Sequence, residues 1–306
     1  MVSAVLASSH EVSKSPADSM PASAAAAPSA AAAAVAPAAP PPAREPYDWR
    51  GLLGRVVPPL LGMALLVGIW GLATQSGGEF PTPRATFDAA VELFADPFYS
   101  NGPNDQGIGW NILFSLQRVG VGFGLAALVG IPLGFVIGRF ATMNRMVSPI
   151  ISLLKPVSPL AWLPIGLLVF KAANPAAIWT IFICSIWPMV INTAVGVQRV
   201  PEDYLNVARV LKLSEWRIAT RILLPSVMPY MLTGVRLSVG TAWLVIVAAE
   251  MLTGGVGIGF WVWDEWNNLK VSSIIIAIFV IGIVGLLLEF ALIKLASLFT
   301  FEEVKA

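Results

Sequence analysis

Apolar residues in this 306-residue chain gather into long runs separated by short polar intervals. A helix needs about 20 predominantly apolar residues to traverse a hydrocarbon core of about 30 Å. Six runs meet or approach that length: residues 56–74, 112–137, 147–170, 176–197, 227–252 and 273–298. The pattern predicts an all-α membrane protein with six transmembrane helices in a domain covering residues 46–306. A shorter helical pattern near Ala85–Ala95 lies in the polar, Gly- and Pro-broken interval after the first run. Residues 1–45 are dominated by Ala, Pro and Ser. They bury too little apolar surface to offset chain entropy and are expected to form a disordered tail. The tail lacks the basic stretch before a compact apolar core that marks a signal peptide.

The runs are not uniform. In the second, Gly130, Gly134 and Gly138 recur at a spacing of four, which permits close helix–helix contact in lipid. The third carries Pro149, Pro156, Pro159 and Pro164 together with Lys155. Proline interrupts the helix ladder, and broken backbone at membrane depth survives only against protein or a water-lined cavity. Lys155 therefore has two readings: part of a polar pathway, or a side chain snorkelling from a kinked helix. In the fifth run, Arg236 lies eleven residues past Pro225, about 16 Å along a helix and so near mid-bilayer. It belongs either to an anion pathway or to a structural ion pair. Glu250, in the same run, is a further pathway candidate and a plausible partner for Arg236, though fourteen residues separate them, so the contact would have to come from another helix or subunit.

Composition narrows the class. The chain is 57% hydrophobic and 12% charged, whereas a soluble domain is about 25% charged, so a water-soluble globular protein is excluded. The partners implied are membrane lipid and not nucleic acid. Orientation follows from the basic residues flanking the runs. With the N-terminus inside, the internal flanks hold Arg44, Arg50, Arg55, Arg139, Arg145, Arg199, Arg209, Lys212, Arg217, Arg221 and Lys305. The external loops hold only Arg84, Lys171 and Lys270. Both termini and residues 199–225 are thus expected in the cytoplasm. Outside lies the loop 253–271, in which Gly254, Gly255, Gly257 and Gly259 precede Trp261, Trp263, Asp264, Glu265 and Trp266. Its tryptophans suit an interfacial aromatic belt. Trp263, Asp264, Glu265 and Trp266 are read as contacts for an external protein, with simple solvation as the alternative for the two acids.

Catalytic chemistry finds few groups here. Cys184 is the one cysteine and His10 the one histidine, so neither an intrachain disulfide nor a Cys/His metal site can form. No metal and no cofactor is expected. The chain lacks a Gly-x-x-x-x-Gly-Lys-Ser/Thr phosphate loop, and its external glycines follow no strand. An intramembrane enzyme has no convincing nucleophile–base set to work with.

The longest charged interval of the second half is residues 199–225. Pro201, Glu202 and Asp203 read as a helix start, since proline is tolerated in the first turn and acids complement the dipole. Tyr204, Val207, Ala208 and Leu211 recur at helical spacing, with Arg209 and Lys212 toward the C-terminal end. Ser214 can cap a second short helix holding Trp216, Arg217 and Arg221, which Pro225 is expected to stop. Two short amphipathic helices between apolar runs make a docking surface.

This stretch resembles the cytoplasmic loop of ABC importer permeases, whose pattern is Glu-Ala-Ala, three residues, Gly, nine residues, Ile, one residue, Leu-Pro. The pattern falls on Asn206, Val207 and Ala208, then Lys212, then Ile222, Leu224 and Pro225. Ala208, Ile222, Leu224 and Pro225 agree, whereas Asn206, Val207 and Lys212 depart. Glycine at the Lys212 position allows the sharp turn between the two helices in that family. Either Lys212 adopts a tolerable conformation here, or the turn is built differently. The run Tyr204–Ser214 and residues 248–268 are similar to the permeases of nitrate importers, whose relatives carry bicarbonate, cyanate and organosulfonates.

The resemblance, which covers residues 80–304, implies a six-span permease working as a pair, expected to be a homodimer. Cytoplasmic ABC ATPase subunits would grip the 199–225 loop, and an external solute-binding protein would deliver the solute. ATP hydrolysis would be supplied in trans at a bacterial inner membrane. The cargo expected is a small inorganic anion, nitrate or nitrite, with bicarbonate, cyanate or an organosulfonate as alternatives. A reading of another class is an ATP-independent secondary transporter or channel.

Overall fold

A computed structural model describes residues 49–75 and 80–297. Its helices are α1 (Trp49–Ala73), α2 (Pro83–Ala95), α3 (Ile108–Arg139), α4 (Ala141–Leu154), α5 (Pro159–Phe170) and α6 (Ala173–Gln198). There follow α7 (Glu202–Val210), α8 (Glu215–Ile218), a π-helical turn (Ala219–Leu223), α9 (Leu224–Thr253), α10 (Ile258–Asn267) and α11 (Val271–Ser297). Among the described residues the only β pairing is an isolated bridge between Ser100 and Gln106. The chain divides into two compact units at Val56 and Val57, and the helix packing lies within the second. The tail expected over residues 1–45 falls outside the described residues.

Local signals set the ends of several helices. Thr82 accepts from the Ala85 amide at 3.2 Å and Pro83 opens α2, a cap and a first-turn proline in succession. Lys171 ends α5 in the left-handed region (φ 52°). Among the described residues, four helical stretches are long and apolar enough to cross a membrane: α3, α6, the continuous α8–α9 segment Glu215–Thr253, and α11. Part of α1, Val57–Ala73, is a shorter apolar helix.

The third apolar run, expected as one crossing over 147–170, folds as two helices. The axes of α4 and α5 are bent by 99° at the break between them. Ser158 takes extended backbone (φ −55°, ψ 134°) because the residue before a proline, here Pro159, is driven out of the helical region.

Among the described residues, three buried clusters run along the bundle. One joins α3, α5, α6, α9, α10 and α11 around Ile108, Ile181, Ile246 and Ile258. A second centres on Ala126, Met189 and Val190 between α3 and α6. The third, at the α7 end, contains Val197, Ala208, Ile218, Leu223 and Val227.

Glycine sets how closely α3 approaches α6. A Cβ on Gly134 would stand 2.6 Å from Thr193 Cβ, and one on Gly138 would stand 2.6 Å from Val197 Cβ. On the opposite side of α6, Gly196 meets Tyr230 of α9 in the same way, at 2.7 Å. Helix α6 is thus clamped between α3 and α9 at backbone contact distance.

Candidate functional site

The loop after α6 is built as a helix–turn–helix with a specific turn. Helix α7 ends in a Schellman arrangement, in which the Leu213 amide donates to the Ala208 carbonyl at 3.0 Å and the Lys212 amide to Arg209 at 3.1 Å. This motif requires a left-handed residue between them, and Lys212 supplies it with φ 49°. The lysine therefore adopts the conformation that glycine would take more cheaply. Ala208 is fully buried and shares its cluster with Leu213, which pins the turn to the bundle.

Ser214 accepts from the Arg217 amide at 3.4 Å and starts α8. Pro225 does not stop this second helix, contrary to the sequence expectation. The helix passes through the π turn, where the Leu224 amide donates to Ala219 five residues back, and continues as α9. The widened turn accommodates the proline ring that an ordinary helical turn would clash with, and Pro225 sits in the first turn of α9.

The outward side of this loop is apolar and basic. Tyr204, Val207, Val210, Leu211 and Trp216 are exposed, Trp216 at 77%, and Arg217 and Arg221 lie beside them. Arg209 donates to Asn206 Oδ1 at 2.7 Å. Ile222 and Leu224 are half-buried. Arg139, at the end of α3, grips Glu215 through two bonds of 3.0 Å each. Arg199 stacks over the Tyr230 ring with 5.4 Å to its centroid. These contacts tie the loop to both α3 and α9.

The charged groups within the bundle separate into pairs that spacing alone does not predict. Glu250 and Arg236, on the same helix, do not meet. Glu250 is 1% exposed and accepts from Arg118 of α3 at 2.5 Å, from Ser115 and from the Gly259 amide at 3.0 Å. Arg118 also donates to Val256 and to Asn174. Arg236 is paired with Glu289 of α11, its Nε donating at 2.9 Å. Both members are about half exposed. Lys155 stands just past the last turn of α4, at the mouth of a cavity of about 270 Å³ against α6.

At the other end, the expected external loop is largely the helix α10. Its start is capped from outside: Asn111 accepts from the Gly257 amide at 2.8 Å and Ser115 from Ile258 at 2.9 Å. The glycines serve this close approach. Gly257, at φ 157°, faces the Glu250 carboxylate, which a Cβ would meet at 2.3 Å, and a Cβ on Gly259 would meet the Val247 carbonyl at 2.1 Å. The acids Asp264 and Glu265 divide, one exposed and the other 7% exposed and 3.5 Å from Lys270. Trp263 and Trp266 are exposed, whereas Trp261 is buried. Glu265, Lys270, Glu92 and Tyr99 line a cavity of about 550 Å³. Burial pushes the Tyr99 phenol above its ordinary value, and Asp105 adds to the effect.

Sequence reasoning missed Asn111, Ser115 and Arg118, which hold the α10 end, and Glu289, the partner of Arg236. The first three carried a signal: polar residues at i, i+4 and i+7 share one helix face, and they do so where an apolar run begins.

The model of a family described as binding-protein-dependent transport system inner membrane component matches residues 130–299. The nitrate import permease protein NrtB of Leptolyngbya laminosa is 47% identical over 251 residues, 80% of this chain and 90% of that protein. The bicarbonate transport system permease protein CmpB of Synechocystis sp. is 43% identical over 245 residues, 79% of this chain and 88% of its own length. Among solved structures, a chain of the MetNI methionine ABC transporter in an inward-facing conformation superposes with a TM-score of 0.56. That match covers 62% of this chain and 95% of the other at 15% identity, a likeness of fold alone.

Proposed function

Since this chain belongs to the binding-protein-dependent transport system inner membrane components, as an ABC importer permease and not an enzyme, we propose that it carries a small inorganic anion, nitrate or nitrite. The observation that carries the coupling half of this reading is the turn at Lys212. Its left-handed backbone folds α7 against α8 and turns Tyr204, Val207 and Trp216 outward. An exposed aromatic–aliphatic surface rimmed by Arg209 and Arg217 has the composition of a protein-binding hot spot. Its occupant is a cytoplasmic ABC ATPase subunit, which supplies hydrolysis in trans.

The chain crosses the inner membrane six times, through α1, α3, the broken α4–α5 pair, α6, α8–α9 and α11, with both termini in the cytoplasm. Two copies form the membrane part. ATPase closure moves the loop, and the loop moves α9 because no break separates them; the α3–α6–α9 unit then swings as a rigid body between outward- and inward-open states. An external binding protein delivers the anion to the α10 face, where Trp263, Asp264 and Trp266 are exposed. The buried Glu265 keeps its neighbours in place rather than offering surface.

The cargo assignment draws on the nitrate import permease at 47% identity; a bicarbonate permease at 43% makes bicarbonate the second reading. Uptake of labelled nitrate and labelled bicarbonate by cells lacking and regaining this chain decides between them. Nitrate uptake is expected to return with the chain. Return of bicarbonate uptake alone moves the cargo to bicarbonate, and return of neither rejects an inorganic-anion importer.

A further inference from the structure

Arg139, Arg236, Lys270 and Lys155 each line a cavity in the bundle, and the first three are already neutralised. Arg139 pairs with Glu215, Arg236 with Glu289 and Lys270 with Glu265. Lys155 is different: among the described residues no carboxylate lies within 4.0 Å of its ammonium. Its cavity, about 270 Å³ between α4 and α6, has no acidic residue in its lining.

The polar residues of that lining are donors in waiting. Asn144 accepts from Ser148 through Oδ1 at 2.8 Å, which leaves its amide hydrogens to be given elsewhere. The Ser152 hydroxyl and the Gln198 amide have no hydrogen-bond partner among the described residues. A cation with three further donors and no competing acid is the arrangement that stabilises an anion, and a volume far above the roughly 30 Å³ of one water leaves ample room.

We propose that this cavity is a binding site for a small oxyanion, held by Lys155 with Asn144, Ser152 and Gln198 donating around it. The inference rests on the reading of the chain as an anion permease, and it assigns the charge contact to Lys155 rather than to Arg236, whose charge Glu289 already satisfies. The site lies beside the 99° break between α4 and α5. A relative movement of those helices would assemble or open it. The same chemistry is offered by two sources, the transported anion and the phosphate of a lipid headgroup.

The test uses the complete importer in inside-out vesicles, with Val195→Cys as a reporter in the cavity wall; native Cys184 is buried. Nitrate is expected to slow maleimide labelling of the reporter. Adding Lys155→Gln should raise the half-protecting nitrate concentration about tenfold or more, the loss expected for one charged hydrogen bond, and Lys155→Arg should restore it. In a phosphate-free glycolipid bilayer, protection by added phosphatidylglycerol but not by nitrate assigns the site to a lipid phosphate. Protection by neither, or protection that Lys155→Gln leaves unchanged, overturns the site. Labelled-nitrate uptake by the same vesicles gives a second readout, with maximal uptake falling about tenfold in Lys155→Gln and kept in Lys155→Arg if the occupant is the cargo. Absent uptake with intact protection faults the proposed cargo and not the site; normal uptake without protection faults the site alone.

Discussion

Arg118 of α3 donates to Glu250 of α9 at 2.5 Å, and around this contact the polar groups of three helices are satisfied together. Glu250 also accepts the Gly259 amide at the start of α10, while Asn111 and Ser115 take the two amides before it. The α10 end is therefore held by one buried network and not by loop sequence.

Removing either charge should be costly. Breaking a buried pair leaves its partner uncompensated, at about 3–5 kcal/mol. Arg118→Met and Glu250→Gln are each expected to lower the thermal midpoint of the purified protein strongly. The double variant should lose less than the sum of the two by at least about 1 kcal/mol. Strict additivity would show that the pair does not act as a unit.

Lys212 holds a strained backbone without changing its fold. Lys212→Gly should stabilise the turn by up to about 1 kcal/mol, and Lys212→Val should weaken it, because a branched side chain resists positive φ. Hydrogen exchange at the α7 amides reads both. Equal protection in the two variants would contradict a left-handed turn at this position.

The α3–α6 seam separates two kinds of glycine. At Gly134 and Gly138 an added methyl meets a side chain at 2.6 Å and a carbonyl at 2.8 and 2.7 Å, so alanine there should cost about 1–3 kcal/mol. At Gly120 and Gly124 nothing lies within 4 Å, and alanine should leave stability unchanged or raise it by about 0.5–1 kcal/mol. Unfolding midpoints of the four variants test the contrast.

Docking at the loop should depend on its exposed anchor. Trp216→Ala is expected to weaken binding of the ATPase subunit by about 2 kcal/mol or more while membrane insertion stays normal. Charge reversal at Arg209 together with Arg217 should act in the same direction. Co-purification that survives both changes would remove the docking assignment.

Much of this fold was legible because apolar run length follows directly from bilayer thickness. The helices α3, α6, α9 and α11 begin and end within a few residues of the runs that announced them. Features that leave no compositional mark were not legible. The π turn before Pro225 shifts register by one residue, a change no hydropathy pattern records. The start of α10 is capped by side chains more than 140 positions earlier, so its local sequence reads as a glycine-broken loop. Arg236 and Glu250 were visible as charges within apolar runs. Their partners, Glu289 and Arg118, depend on which helices pack, and tertiary contacts decide that. The turn at Lys212 shows the opposite case: the resemblance to the permease loop marked it as a glycine position, and the backbone there is left-handed although the residue is lysine.

On the proposed function, this chain moves an inorganic anion only when an ATPase docked on residues 199–225 drives it. The direct measurement is labelled-nitrate accumulation in proteoliposomes containing this permease, its ATPase subunits and the external binding protein, with and without ATP. Accumulation is predicted to require ATP and the binding protein together and to fail with Trp216→Ala. Nitrate flux that continues without ATP, or without the ATPase subunits, would contradict the account and identify an autonomous transporter or channel.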